Sequence, residues 1–155
     1  MHNLFNHITK LIKIILLSIF SVIFVSSSNA QLSVEDIVKS RQALFSKNYS
    51  TAKRVQAFSS KGDFEKAKKL MLEMSENYKV LIDLFPENTQ EGFDTGALLT
   101  IWDEKDEFNA LMAKASDDMI KLVSVIEDAE DIRGTLKKFM WSNCKACHSR
   151  YREPH

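Results

Sequence analysis

Apolar residues recur every three or four positions from about residue 33 to residue 151, and this spacing predicts amphipathic helices. The first predicted helix begins at Ser33, a good N-cap, and ends near residue 58, before the segment Ser59-Ser60-Lys61-Gly62. Asp36, three residues after Ser33, would complete a capping box with it. The apolar stripe of this helix consists of Val34, Ile37, Val38, Leu44, Phe45, Ala52 and Val55.

The second predicted helix covers residues 63–85 and stops at Pro86, because proline cannot continue a helix. Its apolar positions again follow helical spacing and are Phe64, Ala67, Leu70, Met71, Met74, Tyr78, Leu81, Ile82 and Phe85. The next segment, PENTQEGFDTG, is the longest polar stretch of the chain, so we interpret it as a loop.

The third predicted helix runs from about Ala97 to Glu127, and the acidic stretch DEKDE interrupts its apolar stripe. Its first turn or two are therefore expected to be bent or separate. The fourth helix begins near Asp131 and continues to Tyr151. Four long amphipathic segments with mostly short connections predict an all-α fold, an antiparallel four-helix bundle.

Composition supports this interpretation. The chain has 155 residues, a formal net charge of zero, four glycines and two prolines. This length predicts one domain, and so few helix-breaking residues favour long helices. Positive and negative charges are mixed along the chain, which argues against the basic face of a nucleic-acid-binding protein.

Residues 1–30 have the layout of a secretory signal: a basic start with Lys10 and Lys13, an apolar run, and the small-residue ending Ser28-Asn29-Ala30. We predict that the signal is cleaved after Ala30 and that residues 31–155 form the mature domain. A retained membrane anchor is the alternative, but the short apolar run favours cleavage. The prediction is a periplasmic protein with no membrane segment after cleavage.

The segment Cys144-Lys145-Ala146-Cys147-His148 is a C-x-x-C-H motif, which is the attachment signature of a c-type haem. On a helix, residues three apart lie on one face, so both thiols can form thioethers with the two vinyl groups of one haem. His148 then serves as the proximal iron ligand. The chain has no other cysteine, so we predict one covalently attached haem c and no structural disulfide.

Two other roles are open to these cysteines, a redox-active disulfide and a structural zinc site. A redox-active disulfide pair usually occurs in a βαβ context, which the helical pattern does not provide. A structural zinc site would need four ligands, and the mature chain could offer only Cys144, Cys147, His148 and His155, crowded into its last dozen residues.

The sequence resembles the cytochrome c′ family across about residues 32–152. The resemblance rests on EDIVKSRQALF near the start, IWDEKDEF in the middle, and CKACHSRYR at the end. The haem motif alone is specific for haem, whereas its C-terminal position together with Arg-Gln in the first helix is what indicates this family.

The resemblance implies roles for four residues besides the motif. It places Phe45 over the open face of the haem, where a phenyl ring cannot coordinate iron. It places Arg41 near a haem propionate, with Gln42 assisting by a hydrogen bond, and Arg152 on the proximal side. Arg41 also shares the apolar stripe, where an unpaired charge is unfavourable; a surface arginine is the alternative.

Two functions follow from these expectations. The first is a gas-binding protein with five-coordinate, high-spin iron in a pocket poor in hydrogen-bond donors. It binds NO or CO and has electron transfer as a secondary role. The second is a periplasmic electron carrier with a six-coordinate haem. The second needs a sixth ligand, and its candidates are Met71, Met74, Met112, Met119 and Met140.

The sequence shows no pairing of a nucleophile with a base and no second metal cluster, so an enzyme is not expected. The expected partners are NO or CO and a small redox protein. The resemblance also suggests a homodimer formed through the first two helices.

Overall fold

The computed structural model describes residues 32–154, and most of them are helical. The helices are α1 (Val34–Ser59), α2 (Phe64–Ile82), α3 (Thr100–Asp103), α4 (Lys105–Val125), α5 (Ile132–Leu136) and α6 (Ser142–Tyr151). A π-helical segment, Lys137–Trp141, joins α5 to α6, so these three form one C-terminal helix. With α1, α2 and α4 it makes the predicted four-helix bundle. The predicted signal, residues 1–30, lies outside the described residues.

The start of α1 has Ser33 as its N-cap, as predicted, but the reciprocal bond of a capping box is replaced by one from the Ser33 hydroxyl to the Asp36 carboxylate. The hydroxyl of Ser33 accepts a hydrogen bond from the backbone N–H of Asp36 at 3.1 Å and donates one to its carboxylate at 2.6 Å. These bonds satisfy one of the backbone donors that a helix start leaves unpaired. At the other end, Gly62 has φ +75°, a left-handed conformation that favours glycine and turns the chain into α2.

Helix α2 ends at Ile82, three residues earlier than the sequence predicted. Pro86 fits this end, because a proline has no N–H for the carbonyl four residues before it, here that of Ile82, and its ring clashes with that carbonyl. The backbone carbonyls beyond Ile82 accept hydrogen bonds from distant side chains. The carbonyl of Leu84 accepts from Arg41, and that of Phe85 accepts from the indole N–H of Trp102 at 3.1 Å. Contacts between elements so far apart in sequence cannot be predicted from the local sequence pattern.

The third predicted helix is two helices, α3 and α4, separated at Glu104 within the acidic stretch. Glu104 has φ −121° and ψ 43°, which is not helical, so the expected break near DEKDE is confirmed. The helical part is shorter than predicted, since it begins at Thr100 rather than near Ala97 and ends at Val125.

The C-terminal helix begins after Asp131, near the predicted start, and the Asp131 carboxylate accepts a hydrogen bond from the backbone N–H of Gly134 at 2.9 Å. A Cβ at position 134 would lie 2.2 Å from this carboxylate, so any other residue there would require the Asp131 side chain to move. The π-helical segment was not predicted. The N–H of Ser142 bonds to the carbonyl of Lys137, five residues back, which defines the wider turn.

The most extensive packing is between α2 and α4, followed by that between α1 and α2. The α2–α4 contact includes a buried hydrogen bond of 2.8 Å between the hydroxyls of Ser75 and Ser116. The apolar side chains around it, each at most 2% exposed, are Met71, Met74, Met119 and Leu122. Within residues 32–154, no helix combines the length and apolarity needed to cross a membrane.

Candidate functional site

A cavity of about 780 Å³ lies between α1 and the C-terminal helix, and its lining is mostly apolar. Its volume is within the range of pockets that hold small organic ligands and cofactors. The structure brings all seven predicted site residues to its wall: Arg41, Gln42, Phe45, Cys144, Cys147, His148 and Arg152.

Helix α6 places Cys144 and Cys147 in the cavity wall, one helical turn apart. Cys144 is half-buried and Cys147 is buried, and neither forms a disulfide. Burial raises the pKa of Cys147 to about 12 and also raises the pKa of Cys144, whose shift is opposed by a hydrogen bond from Tyr78. Both thiols are therefore neutral at pH 7.

No group of three or more His, Cys, Asp or Glu side chains within residues 32–154 is arranged to hold a metal ion. Cys144, Cys147 and His148 thus do not converge on one point in the way that a zinc site requires. His155, the fourth ligand considered for zinc, lies outside the described residues.

Arg41 is only 2% exposed, so it is not the surface arginine considered as an alternative. Its guanidinium donates four hydrogen bonds from its two terminal nitrogens. Nη1 donates to the Leu84 carbonyl at 3.2 Å and to the Thr89 hydroxyl at 2.8 Å. Nη2 donates to the Thr89 carbonyl at 2.9 Å and to the Thr95 hydroxyl at 2.7 Å. Burial without a carboxylate lowers the pKa of Arg41 to about 10.

These bonds change the role expected for Arg41. A guanidinium has five N–H donors, and four of them are directed at the end of α2 and the loop that follows it. Its Cζ atom also lies 4.5 Å from the ring centroid of Phe85. Arg41 therefore anchors the loop of residues 86–97, and only its Nε–H is left for a propionate. The propionate contact stays a prediction.

Gln42 supports the same loop from outside the bundle. Its amide donates to the backbone carbonyls of Phe93, at 3.4 Å, and Asp94, at 3.0 Å. Both of these residues have φ +54°, a conformation that is unfavourable for residues with a side chain. The loop continues into residues 94–97, which line the cavity, so Gln42 helps to hold part of the cavity wall.

Phe45 is half-buried and lies at the edge of an aromatic cluster beside the cavity. Its ring meets that of Phe85 edge to face, with centroids 6.3 Å apart, and Phe85 in turn contacts Phe108 at 4.7 Å.

Of the five methionines considered as iron ligands, only Met112 lines the cavity. The others pack in the apolar core.

Arg152 lines the cavity near the end of α6, and its Nε is buried without a hydrogen-bond partner among the described residues. An antiparallel bridge between Arg152 and Ala97 fixes the backbone there. The hydroxyl of Tyr151 donates to Glu104 at 3.1 Å, and Arg150 forms an ion pair with the same carboxylate at 2.7 Å. Tyr151 is 1% exposed and belongs to the hydrophobic core.

Sequence reasoning missed Asn48, which lines the cavity and is 4% exposed. Its side-chain oxygen accepts a hydrogen bond from the amide of Asn77 at 2.8 Å, while its Nδ2 has no partner among the described residues. A buried donor without a partner costs about 1–3 kcal/mol. The sequence does contain one indication of Asn48, since a polar residue three places after Phe45 interrupts the apolar stripe.

The residues of this cavity fit a haem c. The wall is largely apolar, as a porphyrin requires, and it presents two thiols one helical turn apart. His148 follows the second thiol directly. Arg152 brings a buried N–H that no described residue satisfies, which suits an anionic propionate.

Similar proteins share both the sequence pattern and the fold. Residues 36–152 match the family model described as Cytochrome C'. A cytochrome c' of Rhodopseudomonas palustris is 28% identical over 120 residues, which span 76% of this chain and 82% of the relative.

Among solved structures, that of cytochrome c' from Rhodopseudomonas palustris is 27% identical, with a TM-score of 0.64 over 77% of this chain and 97% of that one. A nitric oxide complex of a variant of cytochrome c prime from Alcaligenes xylosoxidans has a TM-score of 0.66 over 80% and 99% of the two chains. At 24% identity, that second likeness is evidence of the fold alone. The family match covers nearly all the described residues, and this chain therefore belongs to the cytochrome c′ family, whose cofactor is covalently attached haem c.

Proposed function

We propose that this protein is a periplasmic haem c protein whose five-coordinate iron binds small uncharged diatomic molecules such as NO and CO. Cys144 and Cys147 would hold the haem through thioethers, and His148 would be the proximal ligand. The haem supplies an iron atom with one open coordination position. The protein's own residues decide what reaches that position, so the proposed role is binding rather than catalysis.

The observation that carries this proposal is Phe45 in the wall of the cavity, on a helix that contains neither methionine nor histidine. A phenyl ring has no lone pair to offer to iron, so α1 cannot provide a sixth ligand at this point. The ring packs against Phe85, and it would have to shift to admit a ligand. Phe45 would then act as a steric gate.

The relatives support the same function. The Alcaligenes xylosoxidans protein, which has the same fold, is known as a nitric oxide complex.

Export would follow from the signal-like residues 1–30, and haem attachment of this kind takes place outside the bacterial cytoplasm. A homodimer through the first two helices remains part of the proposal, and Leu72 and Val80 of α2 are about half exposed.

Electron transfer through a six-coordinate haem is the second candidate, and Met112 is the observation that favours it. Met112 is a thioether in the cavity wall and is 2% exposed. It belongs to α4, so it could reach the iron only from a helix other than the one that carries Phe45.

The deciding measurement is an absorption spectrum of the reduced holoprotein before and after addition of CO. We expect a broad high-spin spectrum that shifts on CO addition, in the wild type and in Met112→Leu alike. Sharp low-spin bands that ignore CO would reject the gas-binding proposal. If Met112→Leu then restored CO binding, Met112 would be the sixth ligand and the protein an electron carrier.

A further inference from the structure

We propose that Asn48 strengthens ligand binding, its side-chain amide donating a hydrogen bond to the diatomic molecule bound in the cavity. This inference rests on the proposed function. It also revises the expectation of a pocket poor in hydrogen-bond donors.

The first support is the position of Asn48. It lies three residues after Phe45 on α1, and positions three apart share a helix face. Both residues line the cavity. A ligand that enters beside the Phe45 ring therefore comes close to the Asn48 side chain.

The second support is the state of the amide. Asn48 is 4% exposed, and the amide of Asn77 holds its oxygen at 2.8 Å. This bond fixes the plane of the Asn48 side chain and leaves Nδ2 without a partner among the described residues. Buried donors in native structures are nearly always satisfied, so this one is suited to an acceptor that arrives with a ligand.

A comparison within the bundle argues against a purely structural role. Ser75 and Ser116 form another buried polar pair, at 2.8 Å, and neither has an unpartnered atom or lines the cavity. In the Asn48–Asn77 pair, by contrast, one donor remains unused after the two side chains have bonded to each other. That donor is Nδ2 of Asn48, the member of the pair that lines the cavity.

The chemistry of the ligand fits a neutral donor. The outer atom of bound NO or CO is a weak acceptor, and an amide N–H can donate to it without placing a charge in an apolar cavity. A net hydrogen bond of ordinary strength would change ligand affinity between about 2- and 10-fold.

The test is the infrared C–O stretching band of the CO adduct, together with the NO dissociation rate, in the haem-loaded protein. The variants are Asn48→Leu, which removes the amide at similar volume, and Asn48→Ala, should the leucine variant fail to fold. Ser116→Ala is the matched control, because it breaks a buried polar pair outside the cavity wall.

We expect the wild type and Ser116→Ala to share one band at lower wavenumber, and the Asn48 variants to absorb at higher wavenumber and to release NO between about 2- and 10-fold faster. If CO binds but the band and the NO rate do not move, Asn48 is structural and this inference is wrong, while the proposed function stands. If the wild type binds no CO, both fail.

Discussion

Two regions of this bundle differ in kind. The contact of α2 with α4, here called the closed seam, contains the buried side chains of Met71, Met74, Met119 and Leu122 and the hydrogen-bonded pair Ser75–Ser116. The space between α1 and α6, here called the open seam, holds a cavity of about 780 Å³ with thiols, an imidazole and two arginines in its wall.

The difference shows how one bundle separates stability from binding. Tight packing in the closed seam stabilises the fold through buried apolar area and dispersion contacts. The open seam gives up that packing. The loop of residues 86–97 satisfies Arg41, whereas Asn48 Nδ2 and Arg152 Nε have no partner among the described residues. Substitutions in the two seams should therefore alter different properties.

The largest loss of stability is expected in the closed seam. Leu122→Ala should lower the free energy of unfolding by about 2–5 kcal/mol, because Leu122 is fully buried and its removal leaves a cavity. CO binding by the folded variant should be unchanged. Urea denaturation measures the loss, and Ile120→Ala, on the exposed face of the same helix, should stay within about 0.5 kcal/mol. Equal effects of the two variants would refute the comparison.

Next comes Arg41, the anchor of the loop beside the open seam. Arg41→Met should lower the free energy of unfolding by about 1–3 kcal/mol, because the carbonyl and hydroxyl of Thr89 would lose their buried donor. Hydrogen exchange should rise across residues 86–97. Arg54→Met, on the exposed side of α1, is the control. An equally small effect of Arg41→Met and Arg54→Met would mean that the loop does not depend on Arg41.

Phe45→Ala should separate binding from stability most clearly. Its ring is only half-buried, so the expected loss is about 1 kcal/mol, while CO should associate faster because the gate is gone. Flash photolysis measures the association rate. Leu44→Ala is matched to it, since Leu44 packs against the core but does not line the cavity. An unchanged rate in Phe45→Ala would show that ligands enter elsewhere.

The smallest effect is electrostatic. The hydrogen bond from Arg150 holds the pKa of Glu104 below its usual value of 4.5. The folded pKa is thus the lower one, so the Glu104 contact stabilises the protein above pH 4.5 and is lost as pH falls through the folded pKa. Glu104→Gln should lower the melting temperature at pH 7, and the gap to wild type should close below about pH 4.5. A gap that is constant with pH, or one that Asp106→Asn reproduces, would contradict this.

The sequence predicted the features that depend on near neighbours. The four-helix bundle, the Ser33 N-cap and the break in DEKDE all follow from spacing or from residues a few positions apart. The C-x-x-C-H motif is equally local, and the structure brings it to the same cavity as Arg41 and Phe45.

What the sequence could not predict depends on distant contacts. The segment after α2 is held by Arg41 and Trp102, which donate to the carbonyls of Leu84 and Phe85 from 43 and 17 residues away. The surplus amide of Asn48 emerges only when Asn77, 29 residues away, takes its oxygen. A single chain read in order gives no sign of which polar residues will meet across a bundle.

The π-helical segment of residues 137–141 has a consequence for evolution. Each residue of a helix turns its successors by about 100°, so the extra residue in this turn sets the direction in which Cys144, Cys147 and His148 face. Substitutions within the segment do not change the direction in which these three residues face. Insertion or deletion of a single residue would rotate the whole motif away from α1. Among descendants of this protein, the length of these five residues should therefore be inherited more strictly than their identity.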